Sequence, residues 1–234
     1  MNDFHTHILY GIDDGANTIE ESINILSFLS NNGVKNVFLT PHYVQNSKFN
    51  ANNRKKKSIF NKLQKEVIKN NININMYLGN EVYINDNIVE LIKKNEIMTL
   101  NDSKYILIEL PVLNYDKNIK NTLHNLIVQG YIPIIAHPER YKYIDSKLEL
   151  YKELKELGCL FQGNIPSLYG TYGYKPKYIL TKMLKNDLID FLGTDSHHVP
   201  KYKIKSLNKK LKRILKKEDK INKLLNFNLD LIIK

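Results

Sequence analysis

The chain has 234 residues, 42% hydrophobic and 25% charged, a composition that suits one large folded domain and excludes disordered and fibrous classes. Its net charge of +11 raises an anionic partner, but the excess is local: residues 201–220 carry ten Lys or Arg against Glu218 and Asp219, the pattern of a solvated helix face. The lone cysteine, Cys159, excludes an internal disulfide framework and is expected to pack in the core. No signal-like start and no apolar run near the ~20 residues of a membrane span is visible, so a cytoplasmic protein without membrane insertion is expected.

In chain order, strands are expected at 3–7, 36–40, 74–79, 105–110, 132–137, 160–163 and 188–193, with helical periodicity between them. The clearest helix follows the first strand. Thr18 and Glu21 form a capping box, Ile19, Ile23, Leu26 and Ser30 share one face, and Gly33 stands at the C-terminal stop. Further helices are expected near 55–69, 87–94, 119–129, 148–157, 177–184 and 204–215, and the apolar tail positions Leu224, Leu225, Phe227, Leu229, Leu231 and Ile232 favour packing. Strict alternation implies parallel strands joined by helical crossovers, in a barrel or an open doubly wound sheet. Phe4-His5-Thr6-His7 follows the first strand where a dinucleotide-binding fold would carry its glycine-rich loop. A single domain over 1–234 is expected, with a basic helical segment near 201–220.

The C-terminal ends of these strands carry the chemistry. The first ends in His5 and His7, the second in Thr40-Pro41-His42, the third in Gly79-Asn80-Glu81, the fourth in Glu109, the fifth in His137-Pro138-Glu139-Arg140 and the seventh in Thr194-Asp195-Ser196-His197. Parallel β/α proteins place their active sites at that rim. Imidazole and carboxylate ligate divalent Zn, Mn and Fe, and these residues outnumber what one ion accepts, so two or three ions are implied. Residues two apart in a strand point the same way, so His5 and His7 can share a metal, as can Asp195 and His197. Glu109 closes an apolar strand, where a carboxylate is costly to bury without a cation. A mid-helix histidine such as His124 is expected at the surface or in packing.

Taken together, His5-Thr-His7, Gly11-Ile-Asp13-Asp14-Gly15-Ala16, Thr40-Pro41-His42, Gly79-Asn-Glu81, Ile108-Glu109, Ala136-His137-Pro138-Glu139-Arg140 and Gly193-Thr-Asp195-Ser-His197 resemble the PHP (polymerase and histidinol phosphatase) superfamily. Within it, the Gly-Ile-Asp-Asp-Gly-Ala and His-Pro-Glu-Arg blocks resemble the CpsB/YwqE type of bacterial protein-tyrosine phosphatase. The resemblance implies an α/β fold, a distorted seven-stranded (β/α)7 TIM-like barrel. It also implies three divalent ions, most often manganese, with iron or zinc as alternatives. By position it gives one ion His5, His7, Glu81 and Asp195, a second Glu81, Glu109 and His137, and a third Asp14, His42 and His197. Arg140 matches the phosphate-binding arginine, and Asp14 and His42 stand with it as catalytic positions. The implied reaction is hydrolysis of phosphotyrosine by a metal-activated hydroxide, on a protein such as a tyrosine kinase controlling capsule or exopolysaccharide production.

One departure stands out. Where such enzymes carry a second arginine soon after the final Asp-x-His, this chain has Lys201, Lys203 and Lys205, and the nearest arginine is Arg213. Alternative readings are a histidinol-phosphate phosphatase, a nucleic-acid-processing PHP module and a non-catalytic phosphoprotein-binding module. Against nucleic acid, only Tyr202 interrupts the basic stretch before Phe227, so stacking platforms for bases are missing. The sequence leaves the oligomeric state open.

Overall fold

The computed structural model describes residues 1–226, Leu229 and Ile232; Phe227 and Leu231, which the apolar pattern assigned to packing, lie outside the described residues. The strands are β1 (Asn2–Asp3), β2 (Asn36–Leu39), β3 (His42–Tyr43), β4 (Asn75–Leu78), β5 (Glu81–Tyr83), β6 (Tyr105–Glu109), β7 (Ile132–Ala136), β8 (Leu160–Asn164) and β9 (Phe191–Gly193). The helices are α1 (Ile19–Asn31), α2 (Asn53–Lys69), α3 (Ile88–Lys93), α4 (Asn118–Val128), α5 (Glu149–Leu157), α6 (Ile165–Tyr169), α7 (Tyr174–Lys185), α8 (Leu207–Leu215) and α9 (Glu218–Leu225). All strand pairs are parallel, in a three-stranded sheet ordered β1-β2-β4 and a six-stranded sheet ordered β3-β5-β6-β7-β8-β9. The fold is mixed α/β.

Two expected strands are each interrupted. The run at 36–40 ends as β2 and resumes as β3 after Thr40-Pro41, and the run at 74–79 ends as β4 and resumes as β5 after Gly79-Asn80. Pro41 has no N–H to continue a ladder, and Gly79 lies so close to Leu100 that a Cβ there would sit 2.7 Å from its side chain. The halves consequently pair in different sheets, β2 with β4 and β3 with β5. The first strand is also shorter than expected, but Thr6 makes an isolated parallel bridge to Ser196, and the Asp195 N–H donates to the His5 carbonyl at 2.9 Å. These contacts join the beginning of the chain to the segment after β9.

Three apolar clusters hold this arrangement. An inner one takes Phe4, Phe38, Leu107, Ile134 and Phe191, with Ile232 from the tail; Phe4 packs 4.9 Å from both Phe38 and Phe191. The two outer clusters bury one face of α1 and α2 against β2 and β4, and faces of α4, α5, α7, α8 and α9 against the larger sheet. Each such aromatic or aliphatic side chain contributes about 1.5–3 kcal/mol through burial. The α1 start follows its sequence: Thr18 Oγ1 accepts from the Glu21 N–H at 3.3 Å, and Gly33 adopts φ +87° just past the end. Cys159 is buried, and burial pushes its thiol up to about 12, well away from reactivity. In the basic segment, Leu207 and Leu211 face inward while Lys209, Lys212 and Arg213 remain exposed.

Candidate metal centre

The nine residues that the sequence offers as ligands converge. Their donor atoms fall into four overlapping groups: His7, Asp14, His42 and His197; His5, His7 and Glu81; His5, His137 and Asp195; His42, Glu81 and Glu109. Loop and strand ends supply all of them. Glu109 closes β6, His137 follows β7 and Asp195 follows β9, while Glu81 follows the end of β4 across Gly79-Asn80 and opens β5, so the cluster is built chiefly where strands end. Two of these positions have uncommon backbones. His137 and Asp195 lie at φ +32° and +50°, the left-handed region that non-glycine residues enter at a cost and that concentrates at functional sites.

Asp195 and His197 stay close, His197 Nδ1 lying 3.6 Å from Asp195 Oδ1 and 3.0 Å from the Asp195 carbonyl oxygen. In the tightest groupings Asp195 falls with His5 and His137, and His197 with His7, Asp14 and His42 on the more open side. Glu81 lies at the middle, 3.2 Å from His5 and His7, 3.0 Å from His42 and 3.0 Å from His137. Glu109 stands 3.6 Å from His137. Asp14, half exposed, reaches to 3.6 Å from His42 and 3.5 Å from His197.

The hydrogen-bond pattern shows what the cluster fits. His5 Nδ1 donates to Gln162 Oε1 at 2.7 Å, and His7 Nδ1 donates to Asp13 Oδ2 at 2.7 Å. In the neutral imidazoles both Nε2 atoms then carry lone pairs, and they face each other at 3.1 Å with carboxylate oxygens of Glu81 and Asp195 alongside. Such a convergence of lone pairs is stable only around positive charge. Glu81 Oε2 and His42 Nδ1, 3.0 Å apart, and His137 Nδ1 are moreover buried and make no well-aligned hydrogen bond among the described residues. An all-nitrogen-and-oxygen donor set with orphaned lone pairs suits divalent ions of the manganese, iron or zinc kind.

Protons respond to the same field. Burial opposes charge on His5, yet Glu81 and Asp195 overcome it and lift its pKa to about 9. Burial likewise opposes charge on His7, and Asp13 above all raises it well beyond the ordinary range. Burial would raise the Glu81 and Asp195 carboxyls, but the surrounding imidazoles hold both well below theirs. Glu109 is the exception: burial and then Glu81 push it up to about 7. Arg140 stands at the edge, donating from Nη1 to Asp195 Oδ2 at 2.9 Å, with its guanidinium carbon 4.5 Å from the Tyr172 ring centroid.

The profile of the CpsB/CapC family of capsular polysaccharide synthesis matches residues 1–234. The chain belongs to this family. CapC of Staphylococcus aureus is 36% identical over 199 residues, covering 85% of this chain and 78% of CapC. The tyrosine-protein phosphatase YwqE of Bacillus subtilis is 32% identical with the same coverage, and the tyrosine-protein phosphatase CpsB of Streptococcus pneumoniae is 31% identical over 215 residues, covering 85% of this chain and 84% of CpsB. A solved structure from the pair YwqE and CpsB, described as metal-dependent tyrosine phosphatases, superposes with a TM-score of 0.87 at 29% identity, covering all of this chain and 94% of the other. An amidohydrolase from Mycoplasma synoviae shares only the fold, at a TM-score of 0.61 and 13% identity.

This CpsB/CapC chain also surrounds its ligand-type residues with partners that strand-end reading passes over. Asp13, held by the His42 and Gly15 N–H groups, orients His7, and although burial works against it, His7 keeps its pKa down at about 2. Gln162 from β8, which matches the one of the seven expected strands with no ligand-type residue at its end, orients His5 and also donates to Asn164, which in turn donates to Asp195 at 2.7 Å. Buried Glu139 accepts from the Asn164 N–H and the Ser167 hydroxyl. The clue for Gln162 is a polar side chain within Leu160-Phe161-Gln162-Gly163-Asn164; Asp13 stands out only as the neighbour of Asp14. Gly15 is constrained by contact, because a Cβ there would fall 1.9 Å from the His7 carbonyl oxygen.

Proposed function

We propose that the chain is a metal-dependent protein-tyrosine phosphatase, a phosphoric monoester hydrolase acting on a phosphotyrosine protein of capsule or exopolysaccharide synthesis, with a tyrosine kinase as the physiological target. The observation that carries the reading is the paired His5 and His7 Nε2 atoms, turned toward each other among Glu81 and Asp195 with Arg140 at the edge. The names of the relatives supply the substrate class. Three ions, manganese foremost, are proposed: His5, His7, Glu81 and Asp195 hold one, Glu81, Glu109 and His137 a second, and Asp14, His42 and His197 the third. When bound, divalent ions neutralise phosphate oxygens and lower the pKa of water toward neutrality.

The chain's own residues do the rest. Arg140 has a planar fork suited to two phosphate oxygens, and its present partner Asp195 keeps it aimed at the cluster. Asp14 and His42, on the open side, flank the approach of the substrate. A phenolate leaves with a pKa of about 10, so it needs less help from a proton donor than an alkoxide does. We further propose that residues 1–234 form one cytoplasmic domain, and that the two sheets together make a seven-stranded barrel, each interrupted strand counted once and the Thr6–Ser196 bridge joining first to last.

The test is hydrolysis of a phosphotyrosine peptide and of histidinol phosphate side by side, after metal removal and after restoring manganese. Manganese-dependent preference for the peptide is the expected result. Preference for histidinol phosphate would transfer the protein to amino-acid metabolism.

A further inference from the structure

A groove of about 670 Å³ opens from the metal cluster on its His197 side, within the range of about 300–1,000 Å³ common for ligand sites. Asp195 and His197 form its inner end, and Tyr169, Tyr172 and Tyr202 are among its lining. The walls are firmly built. Tyr169 and Tyr202 stack at 5.2 Å with 21° between their planes, and the Tyr169 hydroxyl bonds the Lys203 carbonyl and the Ser206 hydroxyl. Tyr172, between Gly170 and Gly173 with φ of +82° and +91°, covers Arg140 and connects the groove to the phosphate-binding side.

Its electrostatics are one-sided. Lys201 and Lys203 line the groove, are exposed, and join no ion pair among the described residues. Among the described residues, the only carboxylate in the lining is Asp195, already engaged by Arg140 at 2.9 Å and Asn164 at 2.7 Å. Lys210 lies 4.8 Å over the outer face of Tyr169, extending the positive field toward α8. Because the groove runs directly into the cluster, its occupant is whatever is covalently joined to the phosphorylated phenol.

We infer that this groove receives the polypeptide flanking the phosphotyrosine and selects acidic side chains there, through Lys201 and Lys203 at the edge and the stacked tyrosines as an apolar floor. This deepens the phosphotyrosine reading and rests on it. Aromatic walls with cations at the edge fit an extended acidic peptide: the tyrosines cover backbone and methylene groups, and the lysines meet carboxylates without competition from resident acids.

The experiment uses manganese-loaded full-length protein with phosphotyrosine peptides carrying Glu, Ala or Lys within four residues of the phosphotyrosine, and free phosphotyrosine alongside. The expected order of kcat/KM is Glu above Ala above Lys, with about a fivefold step from Ala to Glu, as a few exposed charge pairs supply, shrinking as salt is raised. The double variant Lys201→Glu, Lys203→Glu is expected to reverse the Glu-to-Lys ratio. Equal kcat/KM across the three peptides, or an acidic preference that survives the double variant, overturns the groove assignment while leaving the phosphatase reading standing. Absence of hydrolysis of every phosphotyrosine compound, free phosphotyrosine included, overturns both.

Discussion

At the scale of single residues, the cluster depends on side chains that touch no phosphate. Asp13 fixes the tautomer of His7, and Gln162 that of His5, so Asp13→Ala is expected to weaken manganese binding about 10–100-fold, the usual effect of losing an imidazole's orienting partner, with little change in far-UV circular dichroism. Titration calorimetry checks it; unchanged affinity would remove Asp13 from the site. Tyr172 lies over Arg140, an interaction of about 0.5–2 kcal/mol when a cation is partly desolvated. Tyr172→Phe should therefore keep most of kcat/KM and Tyr172→Ala should lose about 2–30-fold, mainly in KM. The ligand-type residues were legible because His-x-His, Thr-Pro-His and Asp-x-His stand at strand ends. Gln162 was not, since its partner His5 lies 157 residues away and its role exists only once β8 and the first strand meet.

At the scale of elements, the order of strands and helices followed from periodicity, but the breaks in two strands did not. Thr40-Pro41-His42 and Gly79-Asn80-Glu81 read equally well as strand ends, and only the paired geometry shows that the backbone resumes beyond them. Fully buried Lys56 of α2 helps fix these breaks: its Nζ donates to Asn80 Oδ1 at 2.6 Å, while the Asn80 amide donates to the Pro41 carbonyl at 2.8 Å. Burial lowers the Lys56 pKa to about 7, against an ordinary value of about 10.4. Between these values the unfolded chain binds a proton that the folded chain lacks, so this residue makes stability rise with pH across about pH 7–10.4. The slope is at most about 1.4 kcal/mol per pH unit. Lys56→Met is expected to remove that rise, measured as the difference from wild type in urea unfolding at several pH values. Parallel curves would contradict it.

At the scale of the whole molecule, the two sheets share an inner apolar cluster beneath the metal centre, so binding and folding are linked. Manganese at about 100 times its dissociation constant should stabilise the fold by about 2.7 kcal/mol, raising the melting temperature by roughly 5–10 °C in a protein of this size. A chelator should return the transition to its metal-free position; a melting temperature indifferent to manganese would place the ions away from the core. Arg140→Ala should abolish most phosphatase activity while preserving this metal-dependent shift, if Arg140 binds phosphate as proposed and is no part of the ligand set.

The junction between the chain's beginning and its last strand has a further consequence, in time rather than in space. Thr194 donates to Asp3 across 191 residues, and Asp195 and His197 complete groups begun by His5 and His7. A nascent chain that has emerged only as far as residue 194 therefore lacks a donor from two of the four groups, Asp195 from one and His197 from the other. Contacts of such long sequence separation form late and slowly. The site is therefore expected to assemble only after the segment carrying Asp195 and His197 has met the one carrying His5 and His7.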